Sequence, residues 1–326
     1  MKNDQEIAVN VTNLHKLFYS IRGFWRQHKH PIVAVEDISF DIKRGELFGV
    51  VGPNGAGKTT TVKMLSTLLL PTSGTASVLG LDILRDTREI RRHIGFTFGG
   101  NKGLYGRLSG LDNLRYFAEL YKIDPDIIGG RIAELLEIVG LTGREQDRVE
   151  TYSSGMQQRL HLARAMLHDP EMIFLDEPTV GIDPIGAREI RQLVKELVER
   201  GKTVLLTSHY MYEVEELCDR IAVVNHGKII ALDTPAALKS HSKGDCVVVI
   251  QVPNGKGSLQ GQLDALQQHL SKVHTSGEIL SLYTQSPSIV LNELTPLLKQ
   301  NLITNIEVRN ATLEDVYVNI IKNQTT

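Results

Sequence analysis

The chain has 326 residues, of which 41% are hydrophobic and 23% charged, with 28 glycines and 11 prolines. A chain of this length is expected to fold as about two domains, and its composition is that of an ordinary globular protein, which excludes a disordered, collagen-like or disulfide-knit chain. The 36 Lys and Arg residues nearly balance the 38 Asp and Glu residues, so the formal charge of -2 gives no global attraction for a polyanion, and we expect no nucleic-acid partner.

The sequence has no pattern typical of secretion or of a membrane span. The opening MKNDQEI is polar, and no apolar run approaches the roughly 18 residues that cross a bilayer. The two cysteines, Cys218 and Cys246, fit neither a metal-ligand spacing nor a disulfide framework, which is typical of a reducing cytosol. We therefore expect a cytoplasmic protein that does not cross a membrane by itself.

Three short apolar runs predict strands of an α/β sheet, at residues 46–52, 172–175 and 203–207. The first run ends in a glycine-rich loop that is followed by a helical pattern. The second runs directly into Asp176 and Glu177, and the third into Ser208 and His209. Because ligands bind at the carboxyl ends of the strands in open α/β sheets, these polar residues predict a binding site at one edge of the sheet.

The remaining patterns predict how the chain is divided. Apolar residues recur at helical spacing between positions 104 and 167, which predicts a helical block inserted between strands at about residues 100–168. The periodicity breaks over residues 233–243, and we interpret this stretch as a short polar linker. Strand and helix patterns follow it. We predict a first domain at residues 1–240 and a small C-terminal α+β accessory domain at residues 242–326.

The loop after the first strand carries a phosphate-binding motif. GPNGAGKT, residues 52–59, matches G-x-x-x-x-G-K-[ST] in full. Glycines let successive backbone N–H groups turn toward a β-phosphate, and the positive end of the following helix adds to the attraction. Lys58 is expected to reach the β- and γ-phosphate oxygens and Thr59 to ligate Mg²⁺. The predicted nucleotide-binding residues here are Asn54, Gly55, Ala56, Gly57, Lys58, Thr59 and Thr60; the alternative is a glycine turn with a surface lysine.

Two carboxylates follow the second apolar strand. Asp176 ends the run MIFLD and is placed to hold the metal together with Thr59. Glu177 is predicted to accept a proton from the attacking water or to orient that water. The alternative is an ordinary pair of surface carboxylates. Up to this point the residues fit any P-loop nucleotidase.

Three further motifs narrow this class. YSSGMQQR, residues 152–159, opens the helical pattern LHLARAMLH and is similar to the signature sequence of ABC ATPases. VGID, residues 180–183, is similar to the D-loop of that family, and Ser208-His209 is similar to its switch histidine. Because the order and the spacing of all five motifs fit, the chain resembles the ATP-binding subunits of ABC transporters over about residues 9–238.

The resemblance implies an α/β fold, a P-loop NTPase of the ABC ATPase type with an N-terminal antiparallel β part and an inserted α-helical subdomain, here followed by the C-terminal α+β domain. It implies ATP and Mg²⁺ as cofactors and hydrolysis of ATP to ADP and phosphate. It also implies head-to-tail dimerisation on ATP binding, as a homodimer or a pseudo-symmetric heterodimer, because the signature lies far from the phosphate loop of its own chain.

The resemblance also assigns roles to single residues. Ser153 and Gly155 form a second helix N-terminus suited to an anion and would close on the ATP of the other copy. Asp183 of the D-loop joins the residues that contact the nucleotide, and His209 would contact the γ-phosphate. The predicted catalytic residues are Glu177, His209 and Lys58. An aromatic residue before the phosphate loop stacks on adenine in this family; Phe18 is the aligned candidate and Tyr19 the reserve, with packing in the β part as the alternative.

The sequence departs from the family pattern in places. A glutamine is usual at the end of the strand IGFTF, but the aligned residues 99–102 are GGNK. Ser154 and Met156 replace the common Gly and Gln of the signature. A basic insertion, SIRGFWRQHKHP, carries Phe24 and Trp25 and is either a solvated loop or a contact with a partner or an acidic membrane surface.

This insertion, the segment GGNKGLYGRLSG and the ending TLEDVYVNII are similar to the ATPase subunits of ABC-2 type exporters, the group related to daunorubicin-resistance and sodium-export ATPases. We therefore expect an ATPase subunit that powers a separately encoded integral membrane permease and is peripheral on the cytoplasmic face of the cell membrane, with residues 99–110 and the following helices as the coupling surface. The alternatives are a soluble ABC ATPase in DNA repair or translation and a low-turnover regulatory subunit. The transported substrate stays open.

Overall fold

The computed structural model describes residues 7–22, 28–98, 103–240, 246–253 and 259–324. The contacts divide the chain into two units, Met1–Leu232 and Asp233–Thr326. The basic insertion with Phe24 and Trp25 and the residues at 99–102 lie outside the described residues, so the predictions made for them stay predictions. Within the described part, no helix combines the length and the apolar character that crossing a bilayer requires.

A six-stranded sheet forms the centre of the first unit. Across the sheet the strands are β10 (Lys228–Asp233), β9 (Arg220–Asn225), β3 (Leu47–Val51), β8 (Thr203–Ser208), β7 (Met172–Asp176) and β6 (Ile94–Phe98). The five strands from β9 to β6 are parallel neighbours. The three central strands are buried throughout, which explains their continuous apolar runs. Their carboxyl ends lie at one edge of the sheet, as predicted.

An antiparallel sheet packs against this centre. Its strands, in spatial order, are β2 (His28–Lys43), β1 (Ile7–Arg22), β4 (Ser73–Val78) and β5 (Leu81–Asp82). Phe40 of β2 stacks on Phe48 of β3 with ring centroids 5.2 Å apart. Apolar residues of both sheets, among them Leu14, Ile42 and Phe174, form one continuous core. This sheet is the predicted N-terminal antiparallel part.

Seven helices complete the described part of the first unit. They are α1 (Lys58–Leu65), α2 (Thr87–His93), α3 (Gly110–Leu120), α4 (Pro125–Ile138), α5 (Ser154–Met166), α6 (Pro184–Glu199) and α7 (Met211–Leu217). The helices α3, α4 and α5 come between β6 and β7 and pack on one another through buried residues such as Leu114, Leu135 and Leu160. They form the inserted helical subdomain, and the predicted fold class is confirmed.

The second unit is a small α+β structure with β-α-β-β-α-β order. Its elements are α8 (Pro235–Ser240), β11 (Cys246–Gln251), α9 (Gln260–Leu266), β12 (Lys272–Ser276), β13 (Ile279–Thr284), α10 (Pro287–Lys299), β14 (Asn305–Asn310) and α11 (Leu313–Gln324). The strands pair antiparallel in the order β12-β13-β11-β14, a split β-α-β arrangement. Val248, Ile250 and Leu282 of the sheet form a core with Leu263 of α9 and Leu294 of α10.

The interpretation of residues 233–243 as a polar linker is wrong in part, because α8 lies within this stretch. Thr234 starts the helix: its Oγ1 accepts a hydrogen bond from the Ala237 N–H at 3.1 Å, and Pro235 follows at a position where its ring favours helix entry. Leu238 is buried, and α8 packs against α11. The contacts therefore divide the chain at Leu232, eight residues before the predicted end of the first domain.

A buried ionic network anchors α11 to the sheet of the second unit. The carboxylate of Asp315 accepts hydrogen bonds from Arg309 Nη1 at 2.6 Å, from Tyr283 Oη at 2.8 Å and from the Thr312 hydroxyl at 2.7 Å. Burial opposes ionisation of Asp315, but the hydrogen bonds from Arg309 and Thr312 outweigh it and hold the pKa of this carboxyl well below its usual range. The Thr312 N–H donates to Asp315 Oδ2 at 2.9 Å and the Asp315 N–H to Thr312 Oγ1 at 3.3 Å, so the two residues also form a capping box for α11.

We predict that Asp315→Asn weakens this unit by about 2–3 kcal/mol at neutral pH, because it removes a charged acceptor shared by several donors. Since the pKa of Asp315 is lower in the folded than in the unfolded state, its stabilisation is complete above the unfolded value of about 3.9 and is lost as the pH falls below it. Hydrogen exchange of full-length protein should show lower protection in β13 and β14, and urea unfolding should show the difference from wild type shrinking on acidification. The exposed Asp264→Asn is the control; equal effects of the two variants would contradict the prediction.

Candidate active site

A cleft of about 570 Å³ opens at the carboxyl edge of the parallel sheet. Of the predicted site residues, it is lined by Asn54, Gly55, Gly57, Lys58, Thr59, Thr60, Asp176 and Glu177. Ala34, Phe98 and Val180 complete the lining; none of them was predicted as a site residue, although Val180 belongs to the predicted D-loop motif. The structure therefore brings together the phosphate loop and the two carboxylates, which are more than 100 residues apart in sequence.

The phosphate loop needs its glycines for two different reasons. Gly55 and Gly57 have φ angles of +82° and +103°, the left-handed region that favours glycine. At Gly57 a Cβ atom would also lie 2.3 Å from the carbonyl oxygen of Ala34, whereas at Gly55 it would meet nothing within 4 Å. Ala56 does not line the cleft: its side chain is buried, and its carbonyl accepts a hydrogen bond from the Gly227 N–H at 3.0 Å. Ala56 therefore fixes the loop to the turn after β9.

The ammonium group of Lys58 is buried at the base of the loop. Its Nζ donates hydrogen bonds to the carbonyl oxygens of Gly52 at 2.8 Å and Pro53 at 3.2 Å. It lies 3.3 Å from Glu177 Oε1. A buried ammonium is costly unless oxygens surround it, and these three satisfy it. The group thus places a fixed positive charge between the loop and the carboxylates.

Asp176 ties three elements together through one oxygen. Its Oδ1 accepts hydrogen bonds from Thr59 Oγ1 of α1 at 3.0 Å and from Thr207 Oγ1 of β8 at 2.6 Å. Thr207 was not predicted as a site residue. In the sequence, Thr207 is the last residue of the third apolar run, directly before Ser208 and His209, and this position could have suggested it. The parallel register of β7 and β8 pairs it with Asp176.

Glu177 is held at the end of β7 in an unusual backbone conformation. Its φ of +51° is rare for a residue with a side chain, and such strain persists only where neighbouring contacts over-determine it. Its N–H donates to both the carbonyl oxygen and the Oγ1 of Thr207, each at 3.1 Å. The Glu177 carboxylate lies between two groups: Oε1 faces Lys58, and Oε2 is 3.3 Å from Nδ1 of His209. Glu177 therefore contacts each of the other two predicted catalytic residues.

The predicted signature and D-loop residues Ser153, Gly155 and Asp183 form a second group that does not line this cleft, although Val180 at the start of the D-loop does. Ser153 caps the N-terminus of α5, where its side chain accepts a hydrogen bond from the Met156 N–H at 3.2 Å. A Cβ on Gly155 would lie 3.5 Å from Ile182 Cγ2, so the signature and the D-loop are adjacent. Asp183 caps α6, because its Oδ1 accepts hydrogen bonds from the N–H groups of the second and third residues of that helix, at 3.0 Å each.

The two aromatic candidates for adenine stacking lie on β1. Phe18 is 40% exposed and Tyr19 is 61% exposed, so neither ring belongs to the core. Phe18 does not line the cleft, and Lys16 Nζ lies 5.2 Å from the centre of its ring. The exposure disfavours packing as the role of these rings, and the assignment to adenine stays a prediction.

Known proteins match the part of the chain that contains the cleft. The sequence profile of the family described as "ABC transporter" matches residues 35–180. The linearmycin resistance ATP-binding protein LnrL of Bacillus subtilis (strain 168) is 44% identical over 218 residues, which are 67% of this chain and 70% of that protein. The daunorubicin resistance ATP-binding protein DrrA3 of Streptomyces coeruleorubidus is 36% identical over 289 residues, which are 88% of this chain and 90% of that protein.

Solved structures agree with the sequence relatives. The dimeric, post-hydrolysis ATP-binding cassette MJ0796 bound to ADP and Pi matches with a TM-score of 0.61 and 27% identity, over 69% of this chain and 98% of that one. CbiO1 of Clostridium perfringens, part of the ABC transporter complex CbiONQ, matches with a TM-score of 0.63 and 25% identity, over 73% of this chain and 92% of that one. Both matches share the cassette fold with this chain.

The two loop glycines provide a matched test of the cleft geometry. Gly55→Ala and Gly57→Ala share the cost of a left-handed alanine, about 1–2 kcal/mol, but only the Gly57 substitution places a methyl group against a carbonyl oxygen, which adds about 1–3 kcal/mol. We predict that Gly57→Ala lowers the unfolding midpoint in urea, without nucleotide, distinctly more than Gly55→Ala does. Equal midpoints for the two variants would contradict the loop geometry.

Proposed function

The chain belongs to the ABC transporter ATP-binding proteins, and we propose that it hydrolyses ATP as one half of a nucleotide-sandwich dimer that powers a separate membrane permease. It is an ATPase of the cassette type. The observation that carries the proposal is the division of the predicted site into two groups. Lys58, Thr59, Asp176 and Glu177 share one cleft, whereas Ser153 and its helix N-terminus do not line it.

The cleft has the groups that phosphoryl transfer requires. The backbone of the phosphate loop and the N-terminus of α1 favour the β-phosphate, and Lys58 contributes positive charge toward the β- and γ-phosphate oxygens. Because catalysis of this reaction is mostly positioning and electrostatic stabilisation, a buried, oxygen-bound ammonium is well suited to it. Lys58 is therefore proposed as both a binding and a catalytic residue.

The residues present fit Mg²⁺. Thr59 Oγ1 and Asp176 Oδ1 lie 3.0 Å apart at the cleft, and hydroxyl and carboxylate oxygens are ligands that Mg²⁺ prefers in nucleotide sites. Thr59 and Asp176 would hold the ion, which when bound neutralises charge that develops on the phosphate oxygens. Thr207 orients Asp176 by a hydrogen bond to the same oxygen.

Glu177 and His209 are placed to handle the attacking water. Glu177 borders the cleft beyond Lys58, where its carboxylate accepts a proton from a water molecule or orients that water toward the γ-phosphate. His209 Nδ1 lies 3.3 Å from Glu177 Oε2, within reach of the carboxylate. In the proposed reaction the histidine also contacts the γ-phosphate. These roles follow from the contact between Glu177, which follows β7, and His209, which follows the adjacent parallel strand β8.

The second anion-binding surface would come from another copy. Ser153 and Gly155 begin α5, whose N-terminal N–H groups and positive end favour a phosphate. A cassette that offers one anion site in its cleft and another outside it is complementary to a second cassette arranged head to tail. We propose a homodimer, or a heterodimer with a similar chain, with ATP between the phosphate loop of one copy and Ser153 of the other. Phe18 and Asp183 are proposed to contact the same nucleotide.

The proposed permease contact is an aromatic patch at the start of the helical subdomain. Tyr105, Leu108, Tyr116 and Leu120 are all exposed, and the Tyr105 and Tyr116 rings pack edge to face with centroids 4.9 Å apart. Exposed apolar clusters of this kind mark interaction sites. LnrL and DrrA3 are both described as resistance ATP-binding proteins. We therefore propose export, with the chain held at the cytoplasmic face of the membrane through its permease.

The ATPase proposal predicts opposite effects for two substitutions. Glu177→Gln should bind ATP and accumulate as a dimer with phosphate release reduced at least tenfold, because the nucleotide stays but the proton acceptor is lost. Lys58→Ala should lose ATP affinity and stay monomeric, because the phosphates lose their cation. Sedimentation velocity with ATP and Mg²⁺, alongside a phosphate-release assay, measures both. Equal phosphate release from Glu177→Gln and wild type, or only monomers of Glu177→Gln with ATP, would contradict the proposal.

The permease proposal predicts that a tagged chain, purified from membranes of its own host, retains an integral membrane protein. Tyr105→Asp should reduce this recovery at least tenfold, because a charge in the patch must be desolvated on docking. Leu84→Asp is the matched control, since Leu84 has the same 48% exposure as Tyr105 but lies outside the patch. Quantitative mass spectrometry checks the result. Recovery of no integral membrane protein with wild type, or the same recovery with Tyr105→Asp, would contradict the proposal.

A further inference from the structure

A buried carboxylate lies behind the catalytic residues and does not line the cleft. Glu213, on α7, is only 1% exposed. Its two oxygens accept hydrogen bonds from different segments: Oε1 from the Thr179 hydroxyl at 2.5 Å, and Oε2 from the Ser208 hydroxyl at 2.6 Å. Both hydroxyl-bearing residues are themselves buried. Burying a carboxylate costs free energy unless hydrogen bonds and a nearby cation compensate it.

The two hydroxyl groups belong to the chain segments that carry the catalytic pair. Thr179 follows Glu177 by two residues, and Ser208 directly precedes His209. The Ser208 hydroxyl also accepts a hydrogen bond from the Tyr210 N–H at 3.0 Å, so it fixes the backbone on both sides of His209. One carboxylate therefore holds both segments from behind, while Glu177 and His209 meet in front at 3.3 Å.

A cation compensates the charge of this carboxylate. Arg191 of α6 has its Nη1 3.7 Å from Glu213 Oε1 and its Nε 3.3 Å from Glu216 Oε2. The side chain of Arg191 is 14% exposed, so the pair is weakly screened. The short, directional hydrogen bonds to the Glu213 carboxylate come from the Thr179 and Ser208 hydroxyls, and Arg191 adds an ion pair. The network thus connects α6, whose N-terminus is capped by Asp183, to the ends of β7 and β8.

We propose that Glu213 is a positioning residue for ATP hydrolysis: through Thr179 and Ser208 it sets the separation of Glu177 and His209. This inference rests on the proposed ATPase function. The left-handed backbone of Glu177 persists only where neighbouring contacts hold it. Thr207 accepts a hydrogen bond from the Glu177 N–H, and two residues further along the chain Thr179 is held by its hydrogen bond to Glu213. A displacement of about 1 Å at a reacting group is able to cost about a hundredfold in rate, so loss of one hydrogen bond here affects turnover.

The test removes the Thr179 hydroxyl without changing the shape of the side chain. Thr179→Val should lower kcat for ATP hydrolysis about ten- to a hundredfold and change KM for ATP less than about threefold, since Lys58 and Thr59 are untouched. Thr179→Ser keeps the donor and should restore kcat to within about threefold of wild type. Glu213→Gln, which keeps one acceptor oxygen, should give an intermediate loss.

Thr97→Val is the matched control. Thr97 is a fully buried threonine of β6 whose hydroxyl has no hydrogen-bond partner in the described structure, so its removal should leave kcat unchanged. Wild-type kcat in Thr179→Val would overturn the inference. So would a loss of ATP affinity and melting temperature in Thr179→Val large enough to account for the lower rate, because that is the behaviour of a structural residue. Absence of hydrolysis by the wild-type chain would instead contradict the proposed function, and the inference with it.

Discussion

The candidate site depends on the hydrogen bonds that meet at one buried oxygen, Asp176 Oδ1. Thr59 reaches it from the first helix at 3.0 Å and Thr207 from the neighbouring strand at 2.6 Å. The Thr207 bond exists because β7 and β8 are parallel neighbours in a register that pairs Asp176 with Thr207. Thr59 comes from α1, which follows β3, the other neighbour of β8. The carboxyl ends of the strands thereby hold the phosphate loop and the carboxylates at fixed separations, which is the preorganisation that phosphoryl transfer uses.

Three carboxylates at the ends of β7 and α7 have different surroundings and therefore different tasks. Asp176 is buried among hydroxyl groups and suits a metal ion. Glu177 is partly exposed between Lys58 and His209 and suits a proton or a water molecule. Glu213 is buried behind both and bonds to the segments that carry them. Similar side chains are thus given separate roles by burial and by their donors.

The sequence predicts best those site residues that lie within one continuous motif. The phosphate loop is one uninterrupted motif, and Asp176 and Glu177 follow directly from a buried apolar run, so their place at the sheet edge could be predicted. Thr207 and Glu213 act through hydroxyl and carboxylate contacts between separate segments, and such contacts depend on strand register and helix placement that periodicity does not give. Helix α8, Pro235–Ser240, is too short to show a period, and its stability comes from the Thr234 cap and from packing against α11.

The central claim is that each active site is composed of two copies, the phosphate loop from one and Ser153 from the other. Mixing Lys58→Ala with Ser153→Ala chains tests it directly, because a mixed dimer contains one composite site with neither substitution. Phosphate release should rise above that of either variant alone, because only the mixed dimer contains an intact composite site. A mixture that only averages the two separate variants would contradict the account, because each loop would then be served by the signature of its own chain.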